Sequence, residues 1–291
     1  MARRSHWWQQ RKDKGHIDVR IWSNVRMRLY FEDELSRLIY CQDFERQERE
    51  FLTAFLSRGD VFIDVGANIG LFSLIASKSV GRTGCVYAFE PCSTAFRRLQ
   101  ASVDLNHFAN VRCFPVALSD SAGPFAMNVS LDGFDAWNSL ARPAAGNSFG
   151  TEMVTSVTWD EFAREHDLIG KVAMMKIDVE GWESRVLRGG AYCLSRDDAP
   201  ILQVEFTDAA ALSAGSNCTE LYRTLETFGY QMFTYDAKGR QLLPEPLRAA
   251  YPYQNLLAVK MPEAVATRLA RRTWLRWGPP RSRLQSKAGG S

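Results

Sequence analysis

The sequence predicts an α/β domain: a mainly parallel, seven-stranded sheet with helices on both faces and an antiparallel hairpin at its C-terminal end. Three observations predict it. Between residues 60 and 206, apolar runs of strand length alternate with stretches of helical length, the pattern of βαβ crossovers. Four of these runs end in polar turns, "DVGANIG", "FEP", "ALSD" and "DVEG", which a parallel sheet gathers at one mouth. Near the C-terminus two β-like runs, "YQMFTYD" and "RQLL", are joined by a Lys-Gly turn instead of a helix.

Each element has its own signal. "DVFIDVG" reads as strand and "IGLFSLIASKSV" as helix. "CVYAFEP" is strand, and "STAFRRLQASVDLNHF" is a helix with Ser93 or Thr94 as its N-cap. "NVRCFPVAL" is strand, followed by residues 124–150, rich in Gly, Ser, Asn and Pro, which read as a hairpin with an irregular loop. "VAMMKIDVEG" is strand, "WESRVLRGGAYCL" helix and "APILQVEFTD" strand. "CTELYRTLETFG" is an amphipathic helix, and "QNLLAVKM" closes the sheet. The organisation expected is a basic tail over 1–20, a cap over 21–58 with a helix from about Glu45, a catalytic domain over 59–260 and a basic tail over 261–291, disordered at its end.

Composition limits the partners. The chain has 291 residues and a formal charge of +3, with 46% apolar and 24% charged residues, as expected for a soluble globular protein. No run is long and apolar enough to span a membrane, and no secretory h-region follows the basic start, so a cytoplasmic location is expected. Six scattered cysteines lack zinc spacing and read as reduced core residues. Residues 1–20 carry six basic against two acidic side chains, and residues 261–291 seven against one. The body between them is therefore at about −7. An acidic body argues against nucleic acid in a central cleft. The tails read as solvated segments, with an acidic partner or membrane surface as the alternative.

"VFIDVGANIG" (Val61–Gly70) is the most informative stretch. A dinucleotide fingerprint GxGxxG presents bare helix N–H groups to a pyrophosphate. Here the glycines are Gly66 and Gly70 only, no P-loop GK[ST] follows, and Asp64 places a carboxylate at the turn. That acid repels a phosphate and favours a cationic ligand. S-adenosyl-L-methionine meets the demand, with an ammonium and a sulfonium for the acid and a carboxylate for the N–H groups near Ala67 and Asn68. Glu90, twenty residues beyond Gly70 in "YAFEP" with Pro91, sits where an acid accepts ribose hydroxyls.

With these motifs, and with "VALSD" and "KIDVEGWESRVLRGG" following in order, residues 40–260 resemble the FkbM family of S-adenosylmethionine-dependent methyltransferases. The resemblance implies a Rossmann-like class I methyltransferase fold and methyl transfer to a hydroxyl oxygen of a small molecule, sugar or glycan. It implies that Asp64, Gly66, Asn68 and Glu90 hold the cofactor, with Ala117 and Ser119 near the adenine.

An alcohol acceptor needs its proton removed. "KIDVEGWE" ends a strand on Asp178 and Glu180, with Lys176 upstream on the same side. One of the two acids is expected to take the proton and the other to orient the substrate, with Glu205 of "QVEF" reaching the same mouth. The bland reading is that Glu180 and Gly181 only shape a turn. Asp178, Glu180 and Glu205 also permit a hard cation such as Mg2+, without requiring or favouring one. Glu183 reads as a surface or helix-start acid, and His107 and His166 as structural. Trp137, Asn138 and Ser139 in "GFDAWNSL" are candidate acceptor contacts or, equally, a loop anchor. Asn255 is a further candidate in the mouth. The rival readings are N-methylation, nucleic-acid methylation (the [DN]PP[YFW] signature is absent), a nicotinamide oxidoreductase and a non-catalytic binding module.

Overall fold

The computed structural model describes residues 2–41, 44–130 and 149–277. It opens with helix α1 (Ala2–Gln9), strands β1 (His16–Arg20) and β2 (Arg26–Tyr30), and helices α2 (Glu34–Cys41) and α3 (Arg46–Phe55). Then β3 (Val61–Val65), α4 (Leu71–Val80), β4 (Cys85–Phe89), α5 (Ser93–Leu105) and β5 (Val111–Phe114) alternate as expected. Strands β6 (Ala117–Leu118), β7 (Gly123–Ser130) and β8 (Phe149–Val157) precede α6 (Trp159–Glu165) and β9 (Val172–Ile177). After these come α7 (Glu183–Gly189), α8 (Ala191–Ser195), β10 (Ile201–Phe206), α9 (Asp208–Ser213) and α10 (Cys218–Thr227). The chain closes with β11 (Gln231–Asp236), β12 (Gln241–Pro244), β13 (Gln254–Val259) and α11 (Pro262–Trp277).

The main sheet has the order β12-β11-β13-β10-β9-β3-β4-β5. From β10 to β5 all neighbours are parallel, while β13 runs antiparallel to both β10 and β11. Seven strands form the expected Rossmann-like sheet, and β12 adds a short eighth strand hairpinned onto β11. Asp236 sets that hairpin turn by accepting the N–H groups of Lys238 and Gly239, each at 3.0 Å. The central strands are apolar on both faces because both are covered: Phe62, Met174 and Leu257 pack toward α3, α4 and α11, and Ile63, Met175 and Val204 toward α6, α7 and α10. Each such side chain, fully buried, contributes about 1.5–3 kcal/mol. Strands β6, β8 and β7 form a separate small sheet.

Four local expectations are corrected. Ser93 is not the N-cap of α5: that position is Cys92, and the Ser93 N–H points to the Glu152 carboxylate at 3.2 Å. The helix expected over "WESRVLRGGAYCL" is two short helices that meet at Gly190. The expected N-terminal tail is folded. Trp8 is 1% exposed and donates its indole N–H to the Phe31 carbonyl at 3.1 Å. Asn106, at the end of α5, bonds the N–H and carbonyl of Arg26, pinning the β1–β2 hairpin to the domain. The expected C-terminal tail also begins as a docked helix, with Val265 and Leu269 buried and Arg268 bonded to the Phe55 carbonyl at 2.9 Å and ion-paired with Asp60. Large apolar side chains at Trp8, Val265 and Leu269 outweigh the local positive charge. The expected disordered end, from Pro279 on, lies outside the described residues.

Gly66, with φ 79, is where the first crossover turns, and a Cβ there would lie 1.8 Å from the Asp178 carbonyl oxygen. Gly215 has a similar φ of 75 with nothing within 4 Å of a built Cβ. Gly215→Ala is therefore expected to cost about 1 kcal/mol, the left-handed backbone cost alone. Gly66→Ala should cost several times more, because the backbones of β3 and β9 must separate. Thermal unfolding followed by circular dichroism checks the ranking, and equal losses would refute it.

Candidate active site

The carboxyl ends of β3, β4, β9 and β10 open into a cavity of about 310 Å3, covered by Leu35, Phe44 and Glu45 from the N-terminal cap. Strand register builds its floor. On the face toward α3 and α4, Asp64 pairs with Lys176 and Lys176 with Gln203; nearer the strand ends, Glu205 stands opposite Asn255. Among the described residues, six carboxylates line the cavity, those of Glu45, Asp64, Glu90, Asp178, Glu180 and Glu205, against the single ammonium of Lys176.

Lys176 is buried, with its Nζ 2.5 Å from Asp178 Oδ2 and 4.6 Å from the centre of the Phe72 ring. Burial works against its charge, but Asp178, Glu45 and Asp64 together outweigh that and raise its pKa. Asp64 is 1% exposed. Its Oδ2 accepts from the Ser73 hydroxyl at 2.5 Å, while Oδ1 meets no protein donor. Burial pushes its pKa up, with Lys176 and Ser73 pulling back. The expectation of a lone fixed charge at the turn is thus corrected: the negative field belongs to the whole carboxylate group.

Glu90 is held by the backbone, Oε2 accepting the Asn68 N–H at 2.8 Å and Oε1 the Cys92 N–H at 2.9 Å. The Ala67 N–H bonds the Phe89 carbonyl at 2.9 Å. The N–H groups of Ala67 and Asn68, expected to receive a ligand carboxylate, are therefore already engaged. Gly66, Ala67, Asn68 and Pro91 line the cavity, as does Ala117 together with Val116, Leu118 and Met127. Gly70 sits behind them as the left-handed N-cap of α4, and the cavity lining does not include it. Ser119 also lies behind the wall, fully buried and accepting the Trp182 indole N–H at 3.0 Å. Trp182 is the residue that reaches the cavity.

Beyond β9 the chain turns tightly through Glu180, φ 53, and Gly181, φ 98, where a Cβ would lie 2.3 Å from the Ala210 carbonyl. Glu183 sustains this turn. It is not a surface acid: it is 3% exposed, and Oε1 accepts the N–H groups of Val179 at 3.0 Å and Gly181 at 3.2 Å. The turn places one oxygen each of Asp178, Glu180 and Glu205 within 4.8 Å of one another. Burial, reinforced by Asp178, pushes Glu180 well above the usual carboxylate range. Glu205 is raised likewise by burial and by Glu180. Glu205 Oε1 accepts from the Thr207 hydroxyl at 2.8 Å, and Oε2 has no protein donor.

Asn255 does not line this cavity. It donates to the Tyr253 hydroxyl at 3.3 Å and lines a second, neighbouring cavity. Trp137, Asn138 and Ser139 lie outside the described residues. His107 is exposed at the end of α5, and the His166 ring packs on Phe162 with centres 4.1 Å apart.

Comparison with known proteins places this geometry in a family. Residues 64–232 match the model of the methyltransferase FkbM domain, more than half of the chain. The chain belongs to the FkbM methyltransferase family. Among curated relatives, the 31-O-demethyl-FK506 methyltransferase FkbM of Streptomyces tacrolimicus is 34% identical, over 46% of this chain and 60% of its own length. The hexuronic acid methyltransferase AglP of Haloferax volcanii is 28% identical, over 50% of this chain and 56% of its own. The chain thus spans less than two thirds of the relatives it matches. The crystal structure of methyltransferase FkbM from Methylobacillus flagellatus KT aligns with a TM-score of 0.43 at 15% identity, covering 88% of this chain and 58% of that one.

The FkbM-domain match begins at Asp64 and ends before β13, so four of the described cavity residues lie outside it, among them the polar pair Glu45 and Tyr253 beside Leu35 and Phe44. The Tyr253 hydroxyl donates to Glu45 Oε1 at 2.8 Å, closing the cavity between segments 208 residues apart. Burial pushes Glu45 up to about 7, with Lys176 opposing and Asp178 adding to the rise. The sequence reading missed both residues, and Trp182 as well. Only Trp182 had a signal, its place directly after the "VEG" turn.

Glu183 is raised to about 7 by burial, against the pull of its backbone N–H partners. A carboxyl with a folded pKa above its unfolded value of 4.5 binds more protons in the fold, so stability falls as pH rises from about 4.5 to about 7. Glu183→Gln keeps the acceptor oxygen and removes the charge. The variant should exceed the parent in stability at pH 8 by about 2 kcal/mol and converge with it toward pH 5. Urea unfolding at both pH values tests this, and parallel curves would refute it.

Proposed function

We propose that this FkbM-family chain transfers the methyl group of S-adenosyl-L-methionine to a hydroxyl oxygen of a small molecule or glycan. One observation carries the reading: three buried carboxylate oxygens at the cavity, Glu45 Oε2, Asp64 Oδ1 and Glu205 Oε2, have no protein donor. Such acceptors call for a ligand with positive charge and N–H or O–H donors. A diphosphate has neither, which disfavours a nicotinamide dinucleotide or a nucleic acid here. The names of the two curated relatives also describe methyl transfer, one of them at oxygen 31.

The residues fit the nucleoside in parts. Glu90, fixed through two backbone N–H groups, retains acceptor capacity for ribose hydroxyls. Val116, Ala117, Leu118 and Met127 offer an apolar slot for the adenine, with Trp182 beside it and Pro91 at its rim. Asp64 Oδ1 offers its open position to an ammonium. When bound, the nucleoside supplies an electrophilic methyl on a sulfonium, and the charge leaves as the methyl does.

The acceptor's proton needs a carboxylate whose proton affinity is raised above the usual range. Asp178 is tied to Lys176, which leaves Glu180 as the proposed base and Glu205 as the group orienting the hydroxyl. The left-handed turn at Glu180 and Gly181 then serves to aim the base. The spacing of Asp178, Glu180 and Glu205 alone favours a second reading, with a hard cation seated among them.

The tests are direct. Calorimetry should show S-adenosylmethionine binding at micromolar affinity and no NAD binding. Glu90→Gln should weaken nucleoside binding about tenfold or more. Glu180→Gln should cut turnover at least a hundredfold with that affinity unchanged; retained turnover would sink the assignment. Turnover insensitive to EDTA supports the metal-free step, and loss restored by Mg2+ supports the cation.

A further inference from the structure

A second cavity of about 240 Å3 shares Tyr253 with the first, and its lining includes Gln203, Asn255, Gln47, Thr234 and Gln254. Its character differs from the first. Among the described residues, four amides and three hydroxyls line it beside Phe51 and Leu257, with Glu48 its one carboxylic acid and no Lys, Arg or His.

Gln203 lies on β10, a strand interior to the sheet, and is 1% exposed. Neither its Nε2 nor its Oε1 meets a partner, and Asn255 Oδ1 on the neighbouring strand is also buried without one. Buried amides are almost always satisfied, because leaving them unpaired loses the hydration of both a donor and an acceptor. Both residues line one hollow. A ligand that pairs with them must donate to the two oxygens and accept from the Gln203 amide N–H group. A hydroxyl does both; an apolar ring does neither.

Charge narrows the class further. A uronate, phosphate or sulfate would meet Glu48 here and the carboxylates of the first cavity, with no free cation in the lining to pair it. We infer that this second cavity holds the body of the acceptor, and that the body is a neutral or amino-bearing sugar ring rather than an acidic sugar or an apolar macrocycle. The inference rests on the methyl-transfer reading for the word acceptor, but not for the binding chemistry. Tyr253 lines both cavities, its hydroxyl bonded to Glu45 and to the Asn255 amide, and is the wall a ring hydroxyl must pass to reach Glu180 and Glu205. Gln203 and Asn255 act as specificity residues and take no part in proton transfer.

The full chain can be titrated, with and without S-adenosylhomocysteine, against methyl glycosides of glucose, galactose, mannose, rhamnose and glucosamine. Methyl glucuronide completes the panel, and saturation-transfer NMR and calorimetry read the binding. At least one neutral or amino glycoside should bind, and the glucuronide should bind at least tenfold more weakly. Gln203→Met and Asn255→Leu should each weaken the glycoside at least tenfold, leaving S-adenosylhomocysteine affinity within twofold, which also reports that the variants fold. Glycoside binding in neither condition, equal or tighter glucuronide binding, or unchanged affinity in both variants would overturn the inference. Failure of the unaltered chain to bind S-adenosylhomocysteine would strike the methyl-donor reading instead, while the glycoside arm still decides the second cavity.

Discussion

The buried Lys176 ammonium is the interaction on which the rest of the site depends. Among the described residues it is the one cation beside six cavity carboxylates, and it joins Asp178 beyond its own strand to Asp64 on β3 and Glu45 on the cap. A buried charge left without its partner costs about 3–5 kcal/mol. The fold therefore holds these acids close together only because Lys176 is among them. The same balance leaves carboxylates in excess of the cation, which suits the proposed sulfonium nucleoside with its ammonium group.

Around that pair, backbone geometry converts charge into direction. The approach of Gly66 to the Asp178 carbonyl brings the turns after β3 and β9 into contact. Glu183 then spends its carboxylate on two backbone N–H groups of the next turn, and Glu180 is held in the left-handed region. Strained backbone that persists at a cavity edge needs surrounding structure to over-determine it. Here Glu183 and the close packing of Gly181 on Ala210 supply that constraint.

The floor and the cover of the site have different origins. The floor comes from the parallel strands matched by the family model; the cover comes from Glu45 and Tyr253, both outside residues 64–232. The second cavity straddles this boundary, with Gln203 inside the matched segment and Asn255 beyond it. Gln203 shares β10 with Glu205 and Tyr253 lines both cavities, so the two hollows are built on common elements.

The sequence by itself determined what depends on local pattern. Apolar runs of strand length, helices between them and polar strand ends predicted the parallel sheet, its mouth, and the places of Asp64, Glu90, Asp178, Glu180 and Glu205. The reason is that strand periodicity and crossover rules act over a few residues at a time. Tertiary structure alone decided which atoms were still free. Ser119 was displaced by Trp182, the N–H groups of Ala67 and Asn68 were taken by Phe89 and Glu90, and Glu183 was drawn inside. It alone brought Glu45 to Tyr253 across 208 residues and set Gln203 beside Asn255 with unpaired amides. Register between strands and the docking of the cap are set by packing of the whole core, and no short window of sequence encodes them.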